Sequence, residues 1–336
     1  MIRSAIQKIV DGQNLSEQET IDTMNEIMGG EATPAQIACF ITALRIKGET
    51  IEEITGAARV MREKSTRIQT KHPLVVDTCG TGGDASHTFN ISTTAAFVVA
   101  GAGIPVAKHG NRSVSSSSGS ADVLKALGVN IEIGPEQVGR CIDEVGIGFL
   151  FAPALHGAMK YAIGPRREIG IRTIFNALGP LTNPAGAQAQ VIGVYAPKLT
   201  ELLANVLNNL GSQHAFVVHG EDGLDEITTT TTTQISELAA GTVTTYTLDA
   251  TVLGIPIAQP DALTGGAPEE NADMTLDILK GEAGPKRDIV LLNGAAAIVA
   301  GGRAEDLAAG LAQATQSIDS GRALEKLEGL KAKTNS

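Results

Sequence analysis

The sequence predicts an α/β protein. A small all-helical unit comes first, followed by a large unit whose mainly parallel central sheet is covered by helices. Three observations carry this. Helix-start signals recur through the first 65 residues with no strand signal among them. From Pro73 onward, short apolar runs rich in β-branched residues alternate with helical stretches. The chain has no Trp, three Tyr and seven Phe, so its core must be small aliphatic side chains packed around 38 Gly. That composition suits tight strand–helix turns.

The opening MIRSAIQKIVDG reads as a short amphipathic helix without the long apolar stretch of a secretion signal. Ser16 with Glu19, and Thr50 with Glu53, form capping boxes in which side chain and backbone satisfy each other at a helix start. Thr33-Pro34 opens a further helix, with Pro where no amide partner is lost, and Gly48 closes it. Four helices are therefore expected in this unit. Strands are expected at LVVDT (74–78), IPVAK (104–108), VNIEI (129–133), GFLFA (148–152), AQVIGVY (189–195) and HAFVVHG (214–220). Runs apolar on both faces belong in a buried parallel sheet. TTAAFVVAGAG (93–103), ADVLKALG (121–128) and TELLANVLNNLG (200–211) read as helices between them. The Thr run at 228–233 reads as an exposed β segment. The last 50 residues read as helical, with LEKLEGLKAKTNS as a frayed end.

The net charge of −11 argues against broad affinity for nucleic acid or an anionic membrane surface. No apolar run approaches the 18 residues a membrane span needs. Cys39, Cys79 and Cys141 show no paired spacing, so neither a disulfide framework nor a zinc site is expected, and a reducing, cytoplasmic setting is.

Four polar clusters interrupt this pattern. CGTGGDASHTFNIST (79–93) follows a strand and opens a buried helix. Gly80, Gly82 and Gly83 can take positive φ and let a ligand touch bare backbone, while Asn90 and Ser92 stand where first-turn amides and the helix dipole attract anions. The segment is neither a P-loop, which needs a following Lys, nor a dinucleotide fingerprint, because Asp84 stands where a glycine is required. A capped glycine turn without a ligand is the competing reading. The second cluster, KHGNRSVSSSSGS (108–120), gathers Lys108, His109 and Arg112 with many hydroxyls and no acid. Two such loops at one sheet end can hold two phosphates. The third, from 152 to 175, carries Lys160, Arg166, Arg167 and Arg172 against the single acid Glu168. Guanidinium groups suit carboxylate or phosphate, although exposed Arg is also ordinary. The fourth is Asp225-Glu226, after a strand and beside Gly223: either a solvated acidic turn or a Mg²⁺ ligand pair.

Together, CGTGGD…TFNIST, KHGNRSVSS…GSADVL, MK…GPRREIGIRTIFN…LGPLTNPA and the DE pair after a strand resemble the anthranilate phosphoribosyltransferases, from about residue 12 to about residue 302. The resemblance implies a helical domain at 1–68, rejoined by about 165–188, hinged to an α/β domain at 74–164 and 189–336. It implies a homodimer through the helical domain. It implies phosphoribosyl pyrophosphate (PRPP) and anthranilate as substrates, with two Mg²⁺ ions bound alongside them.

Carried over by position, Gly80, Gly83, Asp84 and Thr88 would meet the pyrophosphate. Asn90, Ile91, Ser92 and Thr93 would hold the rest of the donor, with Lys108, His109, Gly110, Asn111, Arg112, Ser113, Val114, Ser115, Ser116 and Ser120. Ser92, Asp225 and Glu226 would serve the metal. Gly80, Asn111 and Arg166 would contact anthranilate. Ser117 departs from the common pattern of Lys or Arg, and Gly157 from that of Pro or Ser. No general base stands out in these motifs, and transfer to a neutral aromatic amine needs no strong one. The alternatives are a nucleoside phosphorylase-like enzyme, a non-catalytic nucleic-acid-binding relative, or a phosphate-binding scaffold without turnover.

Overall fold

The computed structural model describes residues 1–82, 87–112 and 118–336. The chain begins with α1 (Ile2–Val10), α2 (Glu17–Gly29), α3 (Pro34–Lys47) and α4 (Ile51–Lys64). Both expected capping boxes form: Ser16 Oγ accepts from the Glu19 amide, and Thr50 Oγ1 from that of Glu53. A third joins Thr33 to Gln36. Glu53 is fully buried. Besides capping its helix, it accepts from the Leu15 amide and the Lys47 ammonium, each at 2.9 Å. A buried carboxylate must be satisfied in this way, and here it also ties α3 to α4.

The rest of the chain builds a seven-stranded sheet. β1 (Val76–Gly80) leads into α5 (Ile91–Gly101), and β2 (Val106–Gly110) into α6 (Ser120–Ala126) and α7 (Pro135–Val145). β3 (Ile147–Phe151) is followed by α8 (Ala152–Leu155), α9 (Lys160–Ile169) and α10 (Ile174–Leu181). Next come β4 (Ala189–Gly193), α11 (Lys198–Asn209), β5 (His214–Gly220), β6 (Thr233–Ala239) and β7 (Thr242–Leu248). The chain ends with α12 (Pro268–Leu279), α13 (Pro285–Ala300), α14 (Leu307–Asp319) and α15 (Arg322–Thr334). The strand order is β3-β2-β1-β4-β5-β6-β7. The first five are parallel, and β6 and β7 add an antiparallel edge.

One apolar cluster lies under α5, α13 and α15 on one sheet face. A second runs from the N-terminal helices through α10 and α11 onto the other face, joining Phe40 and Ile54 to Leu178, Leu203 and Val217. α9 packs on α2 and α3, and α10 on α3 and α4. The chain crosses between the helical unit and the sheet at three places, and these lie side by side. Thr66 N–H donates to the Leu155 carbonyl at 2.8 Å, and Ile68 N–H to that of Pro184 at 3.1 Å.

Three sequence expectations are corrected. VNIEI is extended but belongs to no strand. Val129 and Ile131 are buried, while the amides of Val129 and Asn130 go to the Leu124 carbonyl and the Thr334 hydroxyl rather than to a ladder. The Thr run is largely a buried loop, with only Thr233 in a strand. The hydroxyls of Thr228 and Thr230 both donate to Asp222. The C terminus is packed rather than frayed: Leu327 and Leu330 are each 1% exposed, and Lys333 pairs with Glu144 at 2.6 Å. Leu330→Ala should therefore lower the unfolding free energy by about 2–4 kcal/mol in urea titration. A change below about 0.5 kcal/mol, the size of an ordinary surface substitution, would mean that this turn carries no core contacts.

Candidate active site

The parallel strands end along one edge of the sheet, where open α/β folds bind ligands. The turn after β5 folds back over two of these ends. A Cβ on Gly193 would lie 1.5 Å from the Asp225 carbonyl oxygen, and one on Gly80 would lie 2.3 Å from Asp225 Oδ2. At Gly193 the clash is with backbone and no side chain fits, whereas at Gly80 a side chain would displace the Asp225 carboxylate. Gly82 does take the positive φ expected of this loop, at 67°. Gly80 remains a strand residue, and its missing Cβ is what the turn requires.

Asp225 and Glu226 stand in a loop, as their adjacency demanded. The Gly82 amide donates to Asp225 Oδ2 at 2.9 Å, and the Ser92 amide to Glu226 Oε1 at 3.1 Å. Here the structure corrects the expectation of free amides at the start of α5. The protein's own carboxylate takes the place of an external anion at the positive end of the helix. Lys108 reaches the same point from β2. It is 3% exposed, and its ammonium donates to the Thr78 carbonyl and lies 3.5 Å from Ser92 Oγ. Thr78 Oγ1 in turn donates to the Ser92 carbonyl at 2.9 Å. Gly80, Ser92, Lys108, Asp225 and Glu226 are thus gathered by direct contacts.

The next residue along β2, His109, turns to the opposite sheet face, as strand alternation requires. Its amide donates to Asp77 Oδ1 at 3.0 Å. Asn183 Nδ2 donates to Asp77 Oδ2 at 2.8 Å and to the Ala107 carbonyl at 2.7 Å. Burial pushes the Asp77 carboxyl up, while the Lys108 charge and these hydrogen bonds pull it down. His109 Nε2 and His156 Nε2 are 3.1 Å apart. Burial lowers His109 to about 3, with His156 adding to the effect, and lowers His156 to about 4. A hydrogen bond to the Gly179 backbone partly offsets this for His109, and of the two neutral rings one donates and the other accepts across the Nε2–Nε2 contact. Asp77 and Asn183 were not singled out in the sequence, although an acid inside an apolar strand and the Asn of LTNPA were the available signals.

Asn90 is held rather than open. Its Nδ2 donates to the Ser118 carbonyl, and its Oδ1 accepts from Ser118 and from Asn271 of α12. The Asn111 carbonyl accepts from the Ala121 amide and the Ser120 hydroxyl, anchoring the start of α6. Gly110 ends β2. Arg112 turns outward to Glu132 at 3.3 Å and lies over Phe151. Ile91 and Thr93 bury their side chains, leaving only backbone for a ligand. Thr88 bridges to Thr264. Gly83, Asp84, Ser113, Val114, Ser115 and Ser116, with Ser117, lie outside the described residues.

Arg166 stands apart on α9. Its guanidinium lies 5.1 Å from the centre of the Phe175 ring and has no acidic partner among the described residues. Burial lowers its pKa. No hydrogen bond or ion pair joins it to Gly80 or Asn111 among the described residues.

Among those residues no three His, Cys, Asp or Glu converge on one point. Two adjacent carboxylates beside amide donors nevertheless fit Mg²⁺ brought in with phosphates. Such an ion takes one or two carboxylates and draws its remaining oxygens from water and substrate.

A family model described as "Glycosyl transferase family, a/b domain" matches residues 72–324, and one described as "Glycosyl transferase family, helical bundle domain" matches residues 3–65. The chain is 59% identical over 336 residues to the anthranilate phosphoribosyltransferase of Acetivibrio thermocellus, covering 100% of this chain and 97% of that one. It is similar to the crystal structure of the Thermus thermophilus anthranilate phosphoribosyltransferase, with a TM-score of 0.94, 43% identity and 99% of each chain covered. It is also similar to the Saccharomyces cerevisiae enzyme in complex with PRPP and Mg, with a TM-score of 0.91, 28% identity, and 99% of this chain and 98% of that one covered.

The two histidines yield a pH dependence with a definite sign. Both are neutral in the folded protein and titrate near 6.5 once unfolded. Their contribution to stability is complete above pH 6.5 and shrinks as pH falls from there toward about 3. Each ring contributes a slope of about 1.4 kcal/mol per pH unit. Unfolding free energies measured between pH 7.5 and 5 should fall more steeply for the natural protein than for His109→Gln/His156→Gln. Parallel curves would mean that the rings accept protons while folded.

Proposed function

The chain belongs to the anthranilate phosphoribosyltransferase family, and from that membership we infer its reaction. It transfers the phosphoribosyl group of PRPP to the amine of anthranilate and releases pyrophosphate, the second step of tryptophan biosynthesis from chorismate. The observation that carries the residue-level reading is the convergence of Lys108, Ser92, Asp225 and Glu226 on the glycine-lined ends of β1 and β4. On this reading the donor lies across the turns after β1 and β2. Backbone amides and the buried Lys108 ammonium meet negative charge growing on the departing pyrophosphate, where a preorganised, water-poor site is most effective. Bound with the donor at Ser92 and at Asp225-Glu226, as two ions, Mg²⁺ would neutralise part of that charge.

Asp225 and Glu226 already hold the Gly82 and Ser92 amides. Donor binding then exchanges one set of partners for another. The acceptor's carboxylate belongs with Arg166, a half-buried cation without an acid of its own, and Gly80 and Asn111 complete that end. No general base is required, and His109 and His156 spend their Nε2 atoms on each other.

We assign residues of about 165–188, which hold the end of α9 and all of α10, to the helical domain, supported by the packing of α9 on α2 and α3 and of α10 on α3 and α4. We propose a homodimer through that domain, supported by Met1, Val10 and Ile46, which are 64%, 64% and 81% exposed on or beside α1 and α3. Cytoplasmic residence belongs to the same proposal. No helix among the described residues is long and apolar enough to cross a membrane.

Arg166→Ala should raise the KM for anthranilate roughly ten- to hundredfold, the loss of one charge-assisted contact, and leave that for PRPP nearly unchanged. Loss of anthranilate fluorescence reports both, and an equal rise in the two constants would remove Arg166 from the acceptor site. Ile46→Glu should shift the protein from dimer to monomer in sedimentation velocity. An unchanged coefficient would place the interface elsewhere.

A further inference from the structure

One polar side chain interrupts the apolar run of α13. Asn293 is 2% exposed among Ile289, Leu292, Ala296 and Ala297. A buried amide is tolerated in such surroundings only when its hydrogen bonds are made. Here they are made to one target. Asn293 Oδ1 accepts from the Ile227 amide at 2.9 Å, and its Nδ2 donates to the Ile227 carbonyl at 2.9 Å. Nδ2 also donates to the Ile289 carbonyl one turn back, at 2.9 Å, which fixes the side chain on its own helix. Ile227 directly follows Asp225-Glu226 and is fully buried. The amide thus reads both main-chain groups of one residue, as a paired strand would. It holds the acidic turn at the residue that follows Glu226.

We infer that Asn293 is the positioning residue of the acidic turn. It sets where the two carboxylates stand for the metal–donor complex without touching either. This rests on the reading of Asp225 and Glu226 as metal ligands. The test is Mn²⁺ binding to the enzyme with PRPP, followed by electron paramagnetic resonance, for Asn293→Leu and Asn293→Ala. The Leu variant keeps the volume and removes both bonds to Ile227 along with the one to Ile289, whereas the Ala variant admits water.

The Mn²⁺ dissociation constant should rise about tenfold or more in the Leu variant and less in the Ala variant. The KM for anthranilate should stay within about threefold. A folded variant that titrates Mn²⁺ like the natural protein, while Asp225→Ala and Glu226→Ala do not, overturns the role of Asn293. Carboxylate variants with unchanged Mn²⁺ binding overturn the premise instead. Should neither Asn293 variant fold, hydrogen exchange in the natural protein decides. The Ile227 amide should exchange with the slowest core amides, and rapid exchange would overturn the clamp.

Discussion

The backbone of Asp225 lies where a side chain on Gly193 would have to be. That close approach is the constraint on which the site depends. β4 must end in bare backbone before the turn after β5 can descend, and β1 must do so for the Asp225 carboxylate to lie where it does. Once it has descended, its carboxylates reach the amides of Gly82 and Ser92, and Ser92 in turn lies within reach of Lys108. Steric permission comes first, and electrostatic attraction between acid and helix start works only inside it. A Cβ at Gly193 would push the turn outward, and one at Gly80 would displace the Asp225 carboxylate from the Gly82 amide.

Much of this was legible in the sequence because it is local. Capping boxes, Pro at a helix start and five of the strands follow from short-range chemistry. So did the glycine loop and the Asp-Glu pair, whose side chains are costly to place without a reason. What escaped was long-range or locally disguised. The β6–β7 hairpin turns at Ala240 and Gly241, with φ of 49° and 77°. Such turns usually announce themselves with Asn-Gly, and an Ala in the left-handed region conceals the signal. VNIEI carries the alternation of a strand, yet its first amides are taken by the Leu124 carbonyl and the Thr334 hydroxyl, the latter 204 positions away in the chain. The Thr run satisfies β-propensity, yet the hydroxyls of Thr228 and Thr230 are both taken up by Asp222, which lies outside the run.

Within the site, the residues that contact the ends of the strands were readable, whereas those that hold them were not. Asp77, Asn183 and Asn271 each look like an isolated polar residue until folding brings its partner, which for Asn90 alone comes from 28 and 181 positions away in the chain. Net charge misled in neither direction. A chain with a formal charge of −11 still buries one ammonium at the strand ends, because the local field of carbonyls, hydroxyl and nearby carboxylates outweighs the global balance over so short a range.

The proposed assignments place the donor on the sheet's turns and the acceptor's carboxylate contact, Arg166, on α9, so the rate depends on how the two units are pinned together. Positioning of two reactants is worth several kcal/mol only when the geometry is held. The pins are visible. His156 and Asn183 both belong to segments where the chain crosses between the sheet and the helical unit. They attach to His109 and Asp77, neighbours of Lys108 and Thr78 on the strands that carry the donor turns. Lys108 faces one side of the sheet and His109 the other, so a single strand links the buried cation to the crossing that leads to Arg166. A neutral histidine pair suits this duty. It makes a directional bond at 3.1 Å without setting a second buried charge beside the one meant for phosphate, where like charges would weaken both.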